Sequence, residues 1–363
     1  MRKMTKRERV EATVKFAETD RVPVYDLMVC DAAIEHFAGR PAPYGEEGVK
    51  VRCQAISRIL DMTRSAAHGP AQPGEFTDDD GFVNFREDRW IGGGVRRRPF
   101  SDVPGARQWT CIAIDRYRKQ VKEFDLKRYR REFCERRFTI QGYLGDGTVV
   151  LLRETGTGLD WIRYMLGLEL FSYLYVDEPA LISEFLDVFT ELEVRIVHAI
   201  ADPALSPVTL TYGDIACKGR LLHSPEFLRR EFFPRLKRVN DAYHEHGITC
   251  LFHSDGYLME VISDLIAAGC DGLNPIEVVA GMSLKEVRQK YGRQLFLAGG
   301  IDISQLMALG TPEDVRQVCQ QAIADACPGY FMGSTTELDN GARLENILAM
   351  LEVAWTSGPV KVR

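Results

Sequence analysis

The sequence predicts an α/β protein, a (β/α)8 TIM-type barrel with an N-terminal helical and β-hairpin insertion. From residue 149 onward, short apolar segments alternate with helical segments. The apolar segments lack the polar alternation of a half-exposed sheet, so they indicate parallel strands covered on both faces. A doubly wound open sheet is the alternative, but it normally carries a glycine-rich phosphate loop after its first strand. Residues 26–31, Asp-Leu-Met-Val-Cys-Asp, form no such loop, which favours the barrel.

The N-terminal part contains the first barrel strand and the predicted insertion. A helix over 5–18, with Thr5 as its cap, leads into a buried strand at 22–26. Residues 31–65 are predicted to be helical. After a Gly/Pro-rich stretch, residues 82–103 are typical of antiparallel strands around a glycine turn.

The C-terminal part repeats a strand followed by helix. Its strands are predicted at 149–153, 208–212, 249–253, 272–275, 294–298 and 330–332. Its helices are predicted at 161–167, 179–200, 225–246, 258–268, 283–291, 305–309, 312–326 and 344–356. Together with the first strand, these strands come close to the eight of a barrel. We therefore expect one domain over residues 1–363, with the insertion at about 66–145.

Polar residues follow the predicted strands at the points where they end. In a barrel, catalytic groups gather at the carboxyl ends of the strands. The residues at these positions are Asp26, Arg153, Glu154, Tyr212, Asp214, His253, Asp255, Asn274, Glu277, Asp302 and Glu337. Bringing so many carboxylates to one mouth is costly unless a ligand, a metal or protons compensate the charge. Their order along the chain therefore predicts an active site there.

Each of these residues also has a structural interpretation. His253 can simply hydrogen-bond a neighbouring strand, although Asp255, two residues later, points the same way in an extended segment. Asp214 and Asp302 can cap helices. Glu277 follows Asn-Pro-Ile and is harder to explain as a cap. From the residues alone, these alternatives stay open.

Composition excludes several classes of protein. Lys and Arg number 46 against 52 Asp and Glu, a net charge of −6, and 45% of the residues are hydrophobic. The mild acidity argues against nucleic-acid binding, and the apolar content argues against disorder. No apolar run approaches the ~20 residues of a membrane helix, and the charged N-terminus lacks an export signal. We therefore expect a cytoplasmic protein with no nucleic-acid or membrane partner.

The nine cysteines are scattered along the chain without a C-x-x-C pair. This pattern indicates reduced thiols, not a disulfide framework. Zinc-finger spacing is absent too, so any metal ligands must come from distant parts of the sequence.

Several segments resemble the uroporphyrinogen decarboxylase-like superfamily. The specific part is His253-Ser-Asp-Gly-Tyr-Leu followed by Ala268-Gly-Cys-Asp-Gly-Leu-Asn-Pro-Ile-Glu277. Weaker matches are Asp20-Arg-Val-Pro-Val, Leu297-Ala-Gly-Gly-Ile-Asp302, Thr311-Pro-Glu-Asp-Val and Leu344-Glu-Asn-Ile-Leu-Ala-Met. The resemblance runs over about residues 5–356. It implies one distorted TIM barrel and one of two activities: decarboxylation of uroporphyrinogen, or methyl transfer involving a corrinoid protein, often with zinc.

The chain departs from both family patterns. The decarboxylases carry an R-Q-A-G-R signature that receives the substrate's propionates, but residues 25–31 here read Tyr-Asp-Leu-Met-Val-Cys-Asp. The coenzyme M methyltransferases hold zinc with a His-x-Cys pair and a later Cys in a Gly-Cys-Gly turn. The pair here reads His253-Ser-Asp255, and the later position falls near Thr336, next to Glu337. The resemblance therefore implies a methyltransferase with carboxylates in place of thiolates.

From this resemblance we expect a corrinoid-dependent methyltransferase that demethylates a small O- or N-methylated substrate. Zinc accepts histidine nitrogen and carboxylate oxygen, and the expected metal ligands are His253, Asp255, Glu277 and Glu337. The expected catalytic residues are Asp255, Glu277, Asp214 and Asp302. The expected substrate-binding residues are Asp26, Arg153, Tyr212 and Asn274.

The corrinoid is expected to arrive on a transient partner protein, because the chain has no D-x-H-x-x-G pattern. A homodimer is left open. Two other functions are alternatives. One is a decarboxylase or other lyase, with Arg153 and the cluster at 96–98 gripping carboxylates. The other is a non-catalytic module that binds a corrinoid or a tetrapyrrole.

Overall fold

The computed structural model describes residues 2–90, 92–145 and 147–362. Its strands are β1 Tyr25–Asp26, β2 Met62–Thr63, β3 Gly74–Thr77, β4 Val83–Arg86, β5 Gly94–Arg97, β6 Val149–Val150, β7 Glu154–Gly156, β8 Val208–Tyr212, β9 Ala216–Cys217, β10 Arg220–Leu221, β11 Thr249–His253, β12 Gly272–Asn274, β13 Phe296–Ile301 and β14 Tyr330–Ser334.

The helices surround these strands and close the lower end of the structure. They are α1 Lys6–Val14, α2 Asp31–Ala38, α3 Glu46–Ile59, α4 Val103–Lys122, α5 Leu126–Leu144, α6 Leu159–Leu166, α7 Leu168–Asp177, α8 Pro179–Ile200, α9 Pro225–Phe227, α10 Phe233–His244, α11 Ile262–Ala267, α12 Leu284–Tyr291, α13 Leu306–Leu309, α14 Pro312–Ala326 and α15 Leu344–Thr356. A π-helical turn at Leu228–Phe232 joins α9 to α10, and 3-10 turns lie at Val278–Ala280 and Gly292–Gln294. Among the described residues, no helix combines the length and apolarity needed to span a bilayer.

Within the described residues, eight parallel segments form a hydrogen-bonded ring. Strands β14, β13, β12, β11, β8 and β7 pair in that order, and β1, β2 and β6 pair in a second set. Residues 149–156 join the two sets as one bent strand, because Leu151 N donates to Thr63 O (2.9 Å) and Leu152 N donates to Val208 O (2.9 Å). The ring closes where Val24 bridges Met332 in parallel. The predicted (β/α)8 barrel is therefore confirmed.

The eighth segment is β2, at Met62–Thr63, which the sequence analysis placed at the end of a helix over 31–65. That part of the prediction is wrong. The real helix, α3, ends at Ile59, and β2 has only two residues. A run this short is below the length at which alternation or an apolar stretch indicates a strand.

Asp26 and Gly333 hold the seam between the first and last strands. The Asp26 carboxylate accepts hydrogen bonds from Ser334 N (2.7 Å), Ser334 Oγ (2.9 Å) and Leu27 N (2.9 Å). Burial raises the pKa of Asp26 to about 7. A side chain at Gly333 would place its Cβ 2.0 Å from Tyr25 O, so the close approach of β14 to β1 requires glycine there.

Alternate residues of each strand face the barrel interior and the helices. In β11, Leu251 packs in the interior cluster with Val208 and Leu210, whereas Cys250 and Phe252 join the two outer clusters. This period of two is expected of extended backbone. Val10 of α1 belongs to the interior cluster as well, so α1 covers the lower end of the barrel.

The segment between β2 and β6 contains an antiparallel sheet and two long helices. Strands β3, β4 and β5 pair antiparallel, which agrees with the hairpin predicted over 82–103. Strand β3 was not expected, because it lies in the Gly/Pro-rich stretch. Helix α5 packs against α3 and α8. The single-domain extent and the insertion at about 66–145 stay predictions.

Local signals fixed several helix ends. Thr5 caps α1 through a reciprocal capping box with Glu8, as predicted. Thr311 and Asp314 form the same motif at α14, followed by Pro312 in the first turn. All nine cysteines are free thiols in the described part of the chain, which agrees with the prediction of reduced thiols.

Candidate functional site

Asp214, His253 and Asp255 meet at the carboxyl end of the barrel. His253 is the last residue of β11 and lies beside Tyr212, the last residue of the neighbouring strand β8. Asp214 and Asp255 each follow their strand by two residues. One potential ligand atom of each side chain lies within 4.8 Å of those of the other two. We call these three residues the mouth cluster.

Asn274 fixes the orientation and the tautomer of His253. The Asn274 amide nitrogen donates to Ala298 O (3.2 Å), so its oxygen faces His253 Nδ1 at 2.9 Å and accepts the proton there. The Nε2 atom is left with its lone pair, as in a histidine that ligates a metal. Burial, with a further contribution from Arg64, lowers the pKa of His253 to about 4. The ring is therefore neutral at pH 7.

Asp255 carries a buried carboxylate oxygen without a partner. Its Oδ1 atom has no hydrogen-bond donor among the described residues. Burial raises the pKa of Asp255 to about 7, and the charges of Asp214 and Glu277 add to the shift. A buried carboxylate in this state lacks a compensating cation or proton donor.

Glu277 holds the loop that carries Asp255. Its Oε2 atom accepts a hydrogen bond from Gly256 N at 2.6 Å. Gly256 has φ +94°, and a Cβ there would lie 2.5 Å from Cys217 N, so the loop packs too closely for any other residue. Glu277 thus acts on the mouth cluster through the backbone.

The mouth cluster fits a zinc ion. It offers one imidazole nitrogen whose lone pair is free and two carboxylates, one of which has an unpartnered buried oxygen. Three such protein ligands with a further open position are typical of catalytic zinc sites. The predicted ligand set therefore changes in one respect: Asp214, which was expected as a catalytic residue, stands where Glu277 or Glu337 was expected.

A cavity of about 250 Å³ opens beside the mouth cluster. It is lined by Leu27, Val29, Arg52, Arg64, Ser65, His68, Trp90, Glu154 and Glu337; we call it the mouth cavity. Arg64 and Glu154 form an ion pair across it at 2.8 Å. Burial raises the pKa of Glu337. The preceding residue, Thr336, is held at φ 96°, a strained conformation of the kind found at functional sites.

Other predicted site residues are engaged elsewhere. Asp302 accepts four hydrogen bonds, from Ser304 N and Oγ, Gln305 N and Leu306 N, as a cap of α13. Asp26 closes the barrel seam. Asn274, expected to bind substrate, orients His253. Tyr212 lies at the end of β8, where burial raises its pKa to about 12.

Arg153 and the arginines of 96–98 do not converge. The Arg153 guanidinium bonds both Glu193 oxygens (2.9 Å each) and Tyr129 Oη (2.7 Å) in the helix layer. Arg96 pairs with Glu75 at 2.8 Å, and Arg98 donates to backbone carbonyls of α6. The residues that the lyase alternative required are thus spread over separate parts of the structure.

Two site residues were missed by the sequence analysis. Arg64 follows β2, the strand that was not recognised, so its position at a strand end was not visible. Asp160 stands in the first turn of α6, and its Oδ2 atom accepts from Asp214 N at 3.2 Å. Burial and the Asp214 charge raise the pKa of Asp160 to about 6, despite its bond to Arg163. No strand-end rule reaches a residue inside a helix.

A second group of potential ligands lies at the opposite end of the barrel. His244, Cys250 and Asp271 also have ligand atoms within 4.8 Å of one another. Here, however, Asp271 Oδ2 accepts from His244 Nε2 (2.8 Å) and from Cys250 N (2.7 Å). These contacts explain the group as a hydrogen-bonded structural cluster.

Comparisons with known proteins follow the same lines. A family model described as uroporphyrinogen decarboxylase (URO-D) matches residues 145–356, more than half of the chain. A solved methyltransferase from Methanosarcina mazei has a TM-score of 0.68 at 16% identity, over 97% of this chain and 98% of that one. This likeness supports the barrel fold.

A second solved structure is more distant. The B12-independent methionine synthase from Shewanella sp. W3-18-1, in complex with selenomethionine, has a TM-score of 0.47 at 10% identity, over 93% of this chain and 98% of that one. Among curated proteins, none matches the sequence significantly.

Proposed function

The chain belongs to the uroporphyrinogen decarboxylase (URO-D) family, and from this premise we propose that it is a corrinoid-dependent methyltransferase. It would take a methyl group from a small O- or N-methylated substrate and pass it to a corrinoid held by a separate, transient partner protein. The fold likeness to a methyltransferase supports the class of reaction. The residues of the mouth support the direction from methyl donor to corrinoid.

The observation that carries the proposal is the mouth cluster beside the mouth cavity. Two carboxylates and a neutral imidazole with a free Nε2 form an oxygen- and nitrogen-rich donor set. Such a set suits a hard Lewis acid that acts on an oxygen or nitrogen of the substrate. It suits the binding of a thiol acceptor less well, because thiolate-rich sites are softer.

Asp214, His253 and Asp255 would hold a zinc ion. When bound, zinc would withdraw electron density from the substrate heteroatom that loses the methyl group. Asn274 keeps the imidazole in the ligating tautomer, and Glu277 keeps the Asp255 loop in place. These two residues position the ligands.

Glu337 would supply the proton that the leaving group needs. The bond between the methyl carbon and the substrate heteroatom breaks, the electron pair stays on the heteroatom, and the methyl group passes to the corrinoid nucleophile. A buried carboxyl with a raised pKa retains its proton near neutral pH and can donate it at this moment. Glu337 lines the mouth cavity together with Arg64 and Glu154, where such a substrate would lie.

The test is a mixing experiment that follows consumption of cob(I)alamin with candidate methyl donors, with and without added zinc. We expect consumption to require the protein and a methylated donor, and the purified protein to lack bound corrinoid. Carbon dioxide release from a carboxylated substrate without corrinoid would favour the lyase alternative. Stoichiometric cobalamin that copurifies with this chain would contradict the two-protein arrangement.

The leaving group gives a sharper version of this test. Glu337→Gln is expected to slow demethylation of methoxybenzene about 100-fold, the lower part of the range for general acid catalysis. Nitro-substituted methoxybenzene, whose leaving oxygen needs no proton, should be affected much less. Glu313→Gln, on an exposed residue of α14, is the control. Equal losses on both donors would remove Glu337 from the proposed role.

A further inference from the structure

A second cavity lies behind the mouth cavity, between strand residues 150–154 and helix α5. Its volume is about 390 Å³, within the range of about 300–1,000 Å³ that is usual for small-molecule sites. We call it the side cavity. Phe133, Ile140 and Val150 give it apolar walls. None of the roles assigned to the mouth cluster uses this space.

The side cavity shares one wall with the mouth cavity. Arg64, Ser65, His68 and Glu154 line both. A ligand can therefore extend from one cavity to the other past the Arg64–Glu154 ion pair. Arg64 also contributes to the pKa shifts of His253 and Asp255, which places this shared wall within electrostatic reach of the mouth cluster.

The charged residues of the side cavity are unbalanced. Its lining holds four arginines and one carboxylate, Glu154. Arg64, Arg136 and Arg153 have carboxylate partners in Glu154, Glu46 and Glu193. In the described part of the chain, Arg137 has only backbone carbonyls, those of residues 150, 151 and 205.

Arg137 is thus a buried guanidinium without a counter-ion. Burial lowers its pKa to about 10, which leaves it positively charged at pH 7. An uncompensated buried charge is costly, and an anion that enters the cavity relieves that cost. Guanidinium groups bind carboxylates in preference to other partners because their planar donors match the two oxygens.

Two further donors are unsatisfied in the same lining. The Nε atoms of Arg64 and Arg153 are buried and meet no hydrogen-bond acceptor among the described residues. Buried donors of this kind are rare in folded proteins, and a bound ligand is one explanation for them. The cavity therefore offers a positive charge, two free N–H donors and apolar walls.

We propose that the side cavity binds the carboxylate end of the substrate, so that the methyl donor is a small carboxylic acid with an apolar, ring-sized body. This inference rests on the proposed function, since it places the methylated end in the mouth cavity. The apolar body packs against Phe133 and Ile140. The carboxylate lies among Arg137 and the free Nε–H groups of Arg64 and Arg153.

The test measures binding and needs neither zinc nor corrinoid. Benzoate and benzamide are titrated into the full chain by calorimetry; the two probes have similar shape and differ in charge. We expect benzoate to bind at least tenfold more tightly than benzamide. Equal affinities, or no binding of benzoate, would overturn the inference.

Two variants locate the site. Ala67→Phe fills the cavity from a half-buried position in its lining and should reduce benzoate affinity at least tenfold. Ala32→Phe, on the exposed face of α2, is the matched control and should leave it unchanged. Arg137→Gln should reduce the preference for benzoate over benzamide. If Arg137→Gln fails to fold, Ala67→Phe still decides, and unchanged affinity in Ala67→Phe would overturn the inference.

Donor pairs separate this inference from the proposed function. In the cob(I)alamin assay, a methoxybenzoate is compared with its methoxybenzamide counterpart. Benzoate binding in the side cavity without methyl transfer from either donor would contradict the proposed function and leave the binding inference standing. Methyl transfer from the amide as fast as from the acid would do the reverse.

Discussion

The two ends of the barrel contain similar charged residues in opposite states. At the lower end, Arg9, Asp20, Arg21 and Asp61 form what we call the base network. Asp61 is fully buried and accepts from Arg9 Nη1 (2.5 Å), from Arg21 Nη1 and Nη2 (2.8 and 2.9 Å), and from Val24 N (2.9 Å). At the upper end, the mouth cluster brings two carboxylates together without a cation.

The difference separates charges that serve stability from charges that serve function. In the base network two arginines face two aspartates, and every hydrogen-bonding position of Asp61 is used. In the mouth cluster Asp255 retains an unpartnered oxygen and a raised pKa. A protein tolerates such a cost where a ligand or a reaction requires it. The comparison therefore predicts opposite effects of removing a carboxylate at each end.

The largest expected effect is on stability at the base. Asp61→Ala should lower the free energy of unfolding by about 3–5 kcal/mol, because it leaves Arg9 and Arg21 buried without their shared counter-ion. Urea denaturation measures this loss. Glu132→Ala, which removes one partner of an exposed ion pair on α5, is the control and should cost under about 1 kcal/mol. Similar losses in the two variants would contradict the role of the base network.

At the mouth, removal of a carboxylate should affect activity and spare the fold. Asp255→Asn should reduce methyl transfer at least 100-fold, about 2.7 kcal/mol in the barrier. Its free energy of unfolding at pH 7.5 should be unchanged or higher, because a buried charge repelled by Asp214 and Glu277 is gone. Asp115→Asn, on an exposed residue of α4, is the control. An unfolded Asp255→Asn variant would make this residue structural.

The sequence predicted the barrel better than it predicted the site. Buried strands separated by helices are visible in apolar runs such as 208–212 and 249–253, and the strand ends pointed to His253 and Asp255. The pairing of Asp214 with them was not visible, because the loop after β8 has no periodic pattern. Arg64 was missed for a different reason, since β2 is too short to leave a signal. The capping of α13 by Asp302 was foreseen as an alternative, but only hydrogen-bond geometry reveals which atoms its carboxylate uses.

Zinc binding tests whether the charge at the mouth is balanced from outside. Zinc at 100 times its dissociation constant should raise the free energy of unfolding by about 2.7 kcal/mol. Asn274→Leu removes the acceptor that holds His253 Nδ1–H, and should weaken zinc binding about tenfold, at the lower end of the effect seen for such partners. Asn274→Asp retains an acceptor and should bind zinc more tightly than Asn274→Leu. Calorimetric titration measures both, and equal affinities would show that Asn274 does not position the ligand.

The smallest expected effect concerns the His244–Asp271 pair, which extends the comparison to a titrating group at the base. The hydrogen bond from His244 to the Asp271 carboxylate raises the pKa of His244 above 6.5. A raised histidine pKa means that the folded state binds the proton more tightly, so the pair stabilises the fold fully below pH 6.5. That stability is lost as the pH rises through the folded-state pKa.

His244→Gln should therefore lower the free energy of unfolding at pH 5.5 and have little effect at pH 9. The difference should be under about 1 kcal/mol, because the pair is partly exposed and screened by solvent. Urea denaturation at the two pH values, with His36→Gln as the exposed control, measures it. If the cost of His244→Gln is the same at both pH values, Asp271 does not stabilise the charged imidazole. The base would then owe its stability to the arginine pairs, and the contrast with the mouth would rest on the base network and the mouth cluster.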